Sequence, residues 1–188
     1  MKHSGRNAGN LKKTAAVFLT VATIGAVLVA SVFALGTRNA YAHDCPVEGC
    51  ADGRMTGGGR LAGDMIVTHG FELHCGADDR PNNLEINWDG GNRFHLDGES
   101  LINIKCIDDP SIQPQPPNAP FDRYEADGFG SYNGVAGYQI HFEFTDAGEP
   151  GTKDSAFIVI HGGSPDTTVL VANELLENGN HQAHKANN

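Results

Sequence analysis

The stretch YEADGFGSYNGVAGYQIHFEFTD, Tyr124 to Asp146, decides the fold class. In its second half Tyr138, Ile140, Phe142 and Phe144 share one face while Gln139, His141 and Glu143 share the other, the period-two signature of a half-buried strand. Its first half, Tyr124 to Tyr132, reads as a glycine-rich strand, and the intervening Asn133-Gly134 has the chemistry of a tight hairpin turn. Outward from this hairpin the same grammar recurs. MIVTHGFELHC puts Val67, Phe71, Leu73 and Cys75 on one face, and NNLEINWDGGN puts Leu84, Ile86 and Trp88 together before a turn at Asp89-Gly90-Gly91. RFHL, SLINIKC, SAFIVIHG and TTVLVANELL supply further strands, and no stretch beyond residue 42 keeps a helical period. DDPSIQPQPPNAPFD, with five prolines, reads as an extended connection across the surface. About eight to ten strands with inward aromatics predict an all-β fold of two packed antiparallel sheets, a disulfide-stabilised β-sandwich, jelly-roll-like or Ig-like.

The first residues are basic, with Lys2, Arg6, Lys12 and Lys13, and an apolar run of 22 residues follows from Thr14 to Leu35. Ala40-Tyr41-Ala42 is a small-x-small cleavage signal, so residues 1–42 are expected to be an export signal removed after Ala42. The alternative is an uncleaved membrane anchor, because the run is long enough to span a bilayer. Both readings place the rest of the chain outside the cell, secreted or at its surface. Residues 43–53 then form a short cysteine-containing segment, 54–180 the sandwich, and 181–188 a polar tail. Beyond residue 42 the formal net charge is −15, which excludes nucleic acid as a natural partner and leaves divalent cations as fair ones.

Cys45, Cys50, Cys75 and Cys106 all follow the export signal, and an oxidising compartment keeps paired cysteines. Of the three connectivities, Cys75 with Cys106 and Cys45 with Cys50 is favoured, since the first two each end a strand and the second two close a short loop. A zinc site would need a second close pair that this sequence does not contain.

The ordered set GFGSYNGVAGY, FTDAGEPGTKD and FIVI resembles the post-COAP domain of secreted bacterial proteins, a small β module that often follows a choice-of-anchor P module. The matching positions are Asn133, Gly134, Gly137, Tyr138, Asp146, Gly148, Glu149, Pro150, Gly151 and Asp154. With MTGGG, HGFELHC, NNLEINW and FHL, the likeness spans most of residues 54–185. It implies an exported all-β module of unassigned activity, with no catalytic residues to carry over. No large module precedes it in this sequence, so the domain is expected to act alone.

FTDAGEPGTKD is also the one dense carboxylate loop. Asp146, Glu149 and Asp154 could give a calcium ion three ligands, with Gly148 and Gly151 supplying the bends. The spacing is not that of an EF-hand, however, and Glu-Pro-Gly with capping aspartates accounts for a structural turn unaided. Eight histidines follow residue 42 without HExxH or HxH spacing, and a closed transition-metal site would need three of them to converge. By alternation His69 faces inward and His74, His95 and His141 outward, with His181 and His184 in the tail. No GxSxG elbow is present, and the Gly57–Gly59 run lacks the Lys-Ser or Lys-Thr of a phosphate loop, so it reads as a place where backbones lie close. An aromatic glycan platform would rest on Tyr124 and Tyr132. The expected function is a non-enzymatic extracellular module that binds a protein, glycan or matrix component. The rival readings are a secreted hydrolase and a structural surface-layer component.

Overall fold

The computed structural model describes residues 52–76, 81–114, 116 and 118–186. Among the described residues nine strands follow one another: β1 (Gly53–Leu61), β2 (Val67–His74), β3 (Asn83–Trp88), β4 (Asn92–Leu96), β5 (Ile102–Ile107), β6 (Arg123–Tyr132), β7 (Val135–Thr145), β8 (Ser155–Gly162) and β9 (Thr167–Lys185). The hairpins at Asp89-Gly90-Gly91 and Asn133-Gly134 fall where the sequence placed them, and a further one turns at Gly162 to Asp166. Gly90, Gly134 and Asn133 take the positive φ that such turns demand.

The expected two-sheet sandwich is not what forms. The hydrogen-bonded order β4-β3-β2-β1-β9-β8-β7-β6 returns on itself through a pairing of β4 with β6, giving a closed antiparallel barrel of eight strands, with β5 attached to β6 outside the ring. The decisive seam is short: Phe94, His95 and Leu96 pair with Tyr132, Ser131 and Gly130. A side chain at Gly130 would put its Cβ 2.3 Å from the His95 carbonyl oxygen and 2.5 Å from the Phe94 ring, so only glycine lets β4 dock there. Alternation predicts which face is buried but not whether a sheet closes, and closure removes the exposed edges a sandwich would have kept.

β6 is shared lengthwise. Its later residues hold β4, while its earlier ones, Arg123 to Asp127, hold β5. At that second end β2 and β5 are joined by the Cys75–Cys106 disulfide, with Cα atoms 5.9 Å apart, as the sequence predicted. Cys45 and Cys50 lie outside the described residues.

The barrel interior is packed with side chains. Met55, Leu73, Leu84, Ile86, Phe94, Tyr124, Phe142, Phe144, Ile158 and Ile160 are fully buried. Phe71 stacks on Phe144 with ring centres 4.4 Å apart, and Trp88 stacks on Tyr132 at 5.4 Å. The outer face carries ion pairs such as Lys105 with Glu125 at 2.8 Å and Arg54 with Glu72 at 3.0 Å. Apolar inside and charged outside is the reverse of a transmembrane barrel.

Residues 181–188 are not a polar tail up to Lys185, for β9 runs through them and pairs with β1 from Leu61↔Leu176 to Gly53↔Lys185. The glycine run in β1 makes this pairing close: a Cβ at Gly57 or Gly59 would lie 2.5 or 2.2 Å from the carbonyl oxygens of Asn180 or Asn178. Two other expectations fail. His74 is buried although alternation put it outward, and Tyr124 is wholly interior, its hydroxyl donating to the His74 carbonyl at 3.1 Å. With Tyr132 half-buried against Trp88, no Tyr124–Tyr132 platform exists.

Candidate functional site

β9 is longer than either neighbour. β8 pairs with its first half and stops at Ser155↔Leu175, which leaves the amides of the second half facing the acidic loop, residues 146–154. The loop satisfies them with side chains. Asp154 Oδ2 accepts from the His181 amide at 2.7 Å and Oδ1 from the Ala147 amide at 2.8 Å. Asp146 Oδ2 accepts from the Ala183 amide at 2.8 Å and Oδ1 from the Gly148 amide at 3.0 Å. Glu149 Oε1 accepts from Asn180 Nδ2 at 3.1 Å. The three carboxylates proposed as calcium ligands are therefore a latch that stands in for the missing length of β8, one in which each buried amide finds an acceptor. Among the described residues, no group of three or more His, Cys, Asp or Glu side chains is arranged to hold a metal ion.

The latch has a measurable consequence. Asp154→Ala leaves two amides without acceptors, and a buried unpaired donor costs about 1–3 kcal/mol. Partly offset by relief of a buried carboxylate, the expected loss is about 2 kcal/mol in urea unfolding, with Asp154→Asn intermediate because it keeps one acceptor oxygen. Calcium and chelator should give the same melting temperature. A calcium-dependent rise abolished by Asp154→Asn would show that the loop holds a cation instead.

Directly behind the latch lies a pair of interior histidines that periodicity did not bring together. His69 Nε2 and His181 Nε2 are 2.7 Å apart, inside a cage of Phe71 and Phe144. The tautomers follow from the neighbours. His181 Nδ1 faces the Thr145 carbonyl at 3.1 Å, and a carbonyl only accepts, so that nitrogen carries the proton. His181 Nε2 is then the acceptor and His69 Nε2–H the donor, which leaves the His69 Nδ1 lone pair buried without a partner. Burial pushes the His69 imidazole down to about 3, helped by the neighbouring His181, and burial pushes His181 down to about 4 against the pull of the Thr145 carbonyl. Both rings are neutral at pH 7.

On the outside of the latch, the proline-rich segment between β5 and β6 folds over the loop and leaves an open groove of about 610 Å³, counting the space at its mouth. Asp108, Asp122, Asp146 and Glu149 contribute carboxylates to its lining, and Phe121 and Pro114 contribute apolar wall. Burial pushes the Asp122 carboxyl up to about 6, opposed by the Asp109 amide bond and reinforced by Asp108, Asp109 and Asp146. Asp154 is likewise pushed up to about 6 by burial, which outweighs its two amide bonds. The groove was not legible in sequence because Asp108 and Asp122 stand far from the loop along the chain.

No family model, no curated protein and no solved structure matches this chain.

Proposed function

We propose that the chain is an exported, non-enzymatic binding module whose contact surface is the acidic groove over the latch, and whose partner is an extracellular protein presenting a basic segment. The observation that carries this reading is the filled barrel. Aromatic and aliphatic side chains occupy the interior, so recognition falls to the outer surface, where this groove combines four carboxylates with an apolar wall. The Cys75–Cys106 bridge supports export, since such bonds persist in oxidising compartments. The likeness to the post-COAP domain, an exported β module, points the same way.

The test is fluorescence anisotropy with a labelled decalysine peptide at low and high salt. Asp108→Asn with Glu149→Gln should weaken binding on the order of tenfold, since each rim charge contributes about 0.5–1 kcal/mol. Glu85→Gln with Glu174→Gln removes the same charge elsewhere and should weaken it little. Equal losses for the two pairs would mean unspecific attraction to an acidic protein and would overturn the reading.

A further inference from the structure

On the opposite face of the sheet from the buried pair, β7 and β8 bring two other histidines together on the outer surface. The register pairs Gln139 with His161 and His141 with Val159, so His141 and His161 are diagonal neighbours on adjacent strands. A diagonal cross-strand pair lies within reach of long side chains. Both rings line one shallow surface pocket.

Each ring is held by a carboxylate through the same nitrogen. His141 Nδ1 lies 2.8 Å from Asp127 Oδ1, and His161 Nδ1 lies 3.2 Å from Asp166 Oδ1. A carboxylate accepts, so both Nδ1 atoms carry protons and both Nε2 atoms keep their lone pairs. Neither Nε2 has a hydrogen-bond partner among the described residues. Asp127 is itself fixed from behind, for Asn103 Nδ2 donates to its Oδ2 at 2.7 Å, and Asn103 adopts φ 55 to do so. An imidazole whose Nδ1–H is tied to a carboxylate, with Nε2 open, is the arrangement in which histidine ligates metal.

From this geometry we infer that His141 and His161 form a two-histidine site for a divalent transition ion of the zinc–copper class, with water completing the coordination sphere. Imidazole nitrogen selects such borderline ions over calcium or magnesium, which require oxygen ligands. Two ligands make an open site rather than a closed structural one, consistent with both rings being more than a third exposed. The excess negative charge of the chain concentrates cations around it.

Zinc chloride titrated calorimetrically into the full-length chain is expected to show one dominant site. His141→Gln or His161→Gln should each weaken it at least about tenfold, and Asp127→Asn, which disturbs only the orientation of His141, about tenfold, the usual cost of losing a carboxylate behind a ligand. His95→Gln, an exposed histidine on β4, should leave it unchanged. Because these side chains are at the surface, melting temperatures without metal should match across the variants, and the zinc-induced rise should vanish in the double histidine variant. Unaltered zinc binding in that double variant, equal small losses for all three histidines, or no zinc binding by the unaltered chain would each overturn the assignment.

Discussion

At pH 4 a chain carrying His69→Leu and His181→Leu is expected to be more stable than the unaltered protein, by on the order of 6 kcal/mol relative to their difference at pH 7. An imidazole in the unfolded chain takes up a proton near pH 6.5, whereas in the barrel His69 does so only near 3 and His181 near 4. As pH falls below 6.5 the unfolded state therefore binds protons that the folded state refuses, and stability is lost, on the order of 3 kcal/mol for each ring by pH 4. Among the described residues no carboxylate is hydrogen-bonded to either ring, and although the Thr145 carbonyl favours the charged form of His181, burial against Phe71 and Phe144 outweighs it. Leucine at both positions removes the titration, and because it also takes the His181 donor from the Thr145 carbonyl the variant is expected to lose about 1–3 kcal/mol at pH 7.

Asp122 and Asp154 titrate in the opposite sense. Each holds a proton up to about pH 6 in the barrel but only to 3.8 when unfolded, so acidification from pH 7 to 4 stabilises the fold through them. The unaltered protein should show a shallow net slope made of two opposed ones. Urea midpoints at pH 7, 5.5 and 4 separate them: the double leucine variant should gain stability on acidification, and Asp122→Asn with Asp154→Asn should lose it. Parallel pH profiles for the leucine variant and the unaltered chain would refute the role of the pair.

Removing the bridge with Cys75→Ala and Cys106→Ala is expected to cost about 4 kcal/mol, the loop-closure value for a separation of 31 residues. The topology adds a local signature. Among the described strands β5 is bonded to β6 alone, and the bridge is the covalent tie between it and β2, so amides of β5 should exchange first when the bridge is absent. Urea unfolding with and without reductant gives the magnitude, and hydrogen exchange gives the location. A loss under about 1 kcal/mol, or protection of β5 equal in both forms, would show that packing around Phe121 and Tyr124 holds this end unaided.

The strands were legible in the sequence because each is a local pattern. Phe142 and Phe144 alternate with polar residues and are buried as that alternation requires, while Ile158 and Ile160 lie in a short apolar run and are also buried. The Cys75–Cys106 pairing was readable for the same reason, since each cysteine ends such a pattern. Closure was not legible. It depends on three pairs between β4 and β6 and on the absent side chain of Gly130, features whose meaning appears only when strands distant in sequence meet. Residues 181–185 failed as a strand prediction because only His181 and Ala183 point inward there, and the amides of those two residues are satisfied by aspartate side chains rather than by another strand. The sequence offered Asp146, Glu149 and Asp154 as calcium ligands or turn residues, and it could not reveal that amides of β9 stand opposite Asp146 and Asp154.

One consequence of the barrel's wiring concerns the order in which it can be made. β1, the first strand, has β9 as one of its two lattice neighbours, and the pairing extends to Gly53↔Lys185. A ribosome or export channel delivering this chain from its N-terminal end releases the partner of β1 last. Until the residues of β9 emerge, the glycine-rich edge of β1 lacks that neighbour, so the barrel stays an open, unclosed sheet until the chain from Gly53 to Lys185 has been delivered. Closure across so long a sequence separation is intrinsically slow. The open edge of β1 is thus covered only when the chain's own β9 arrives.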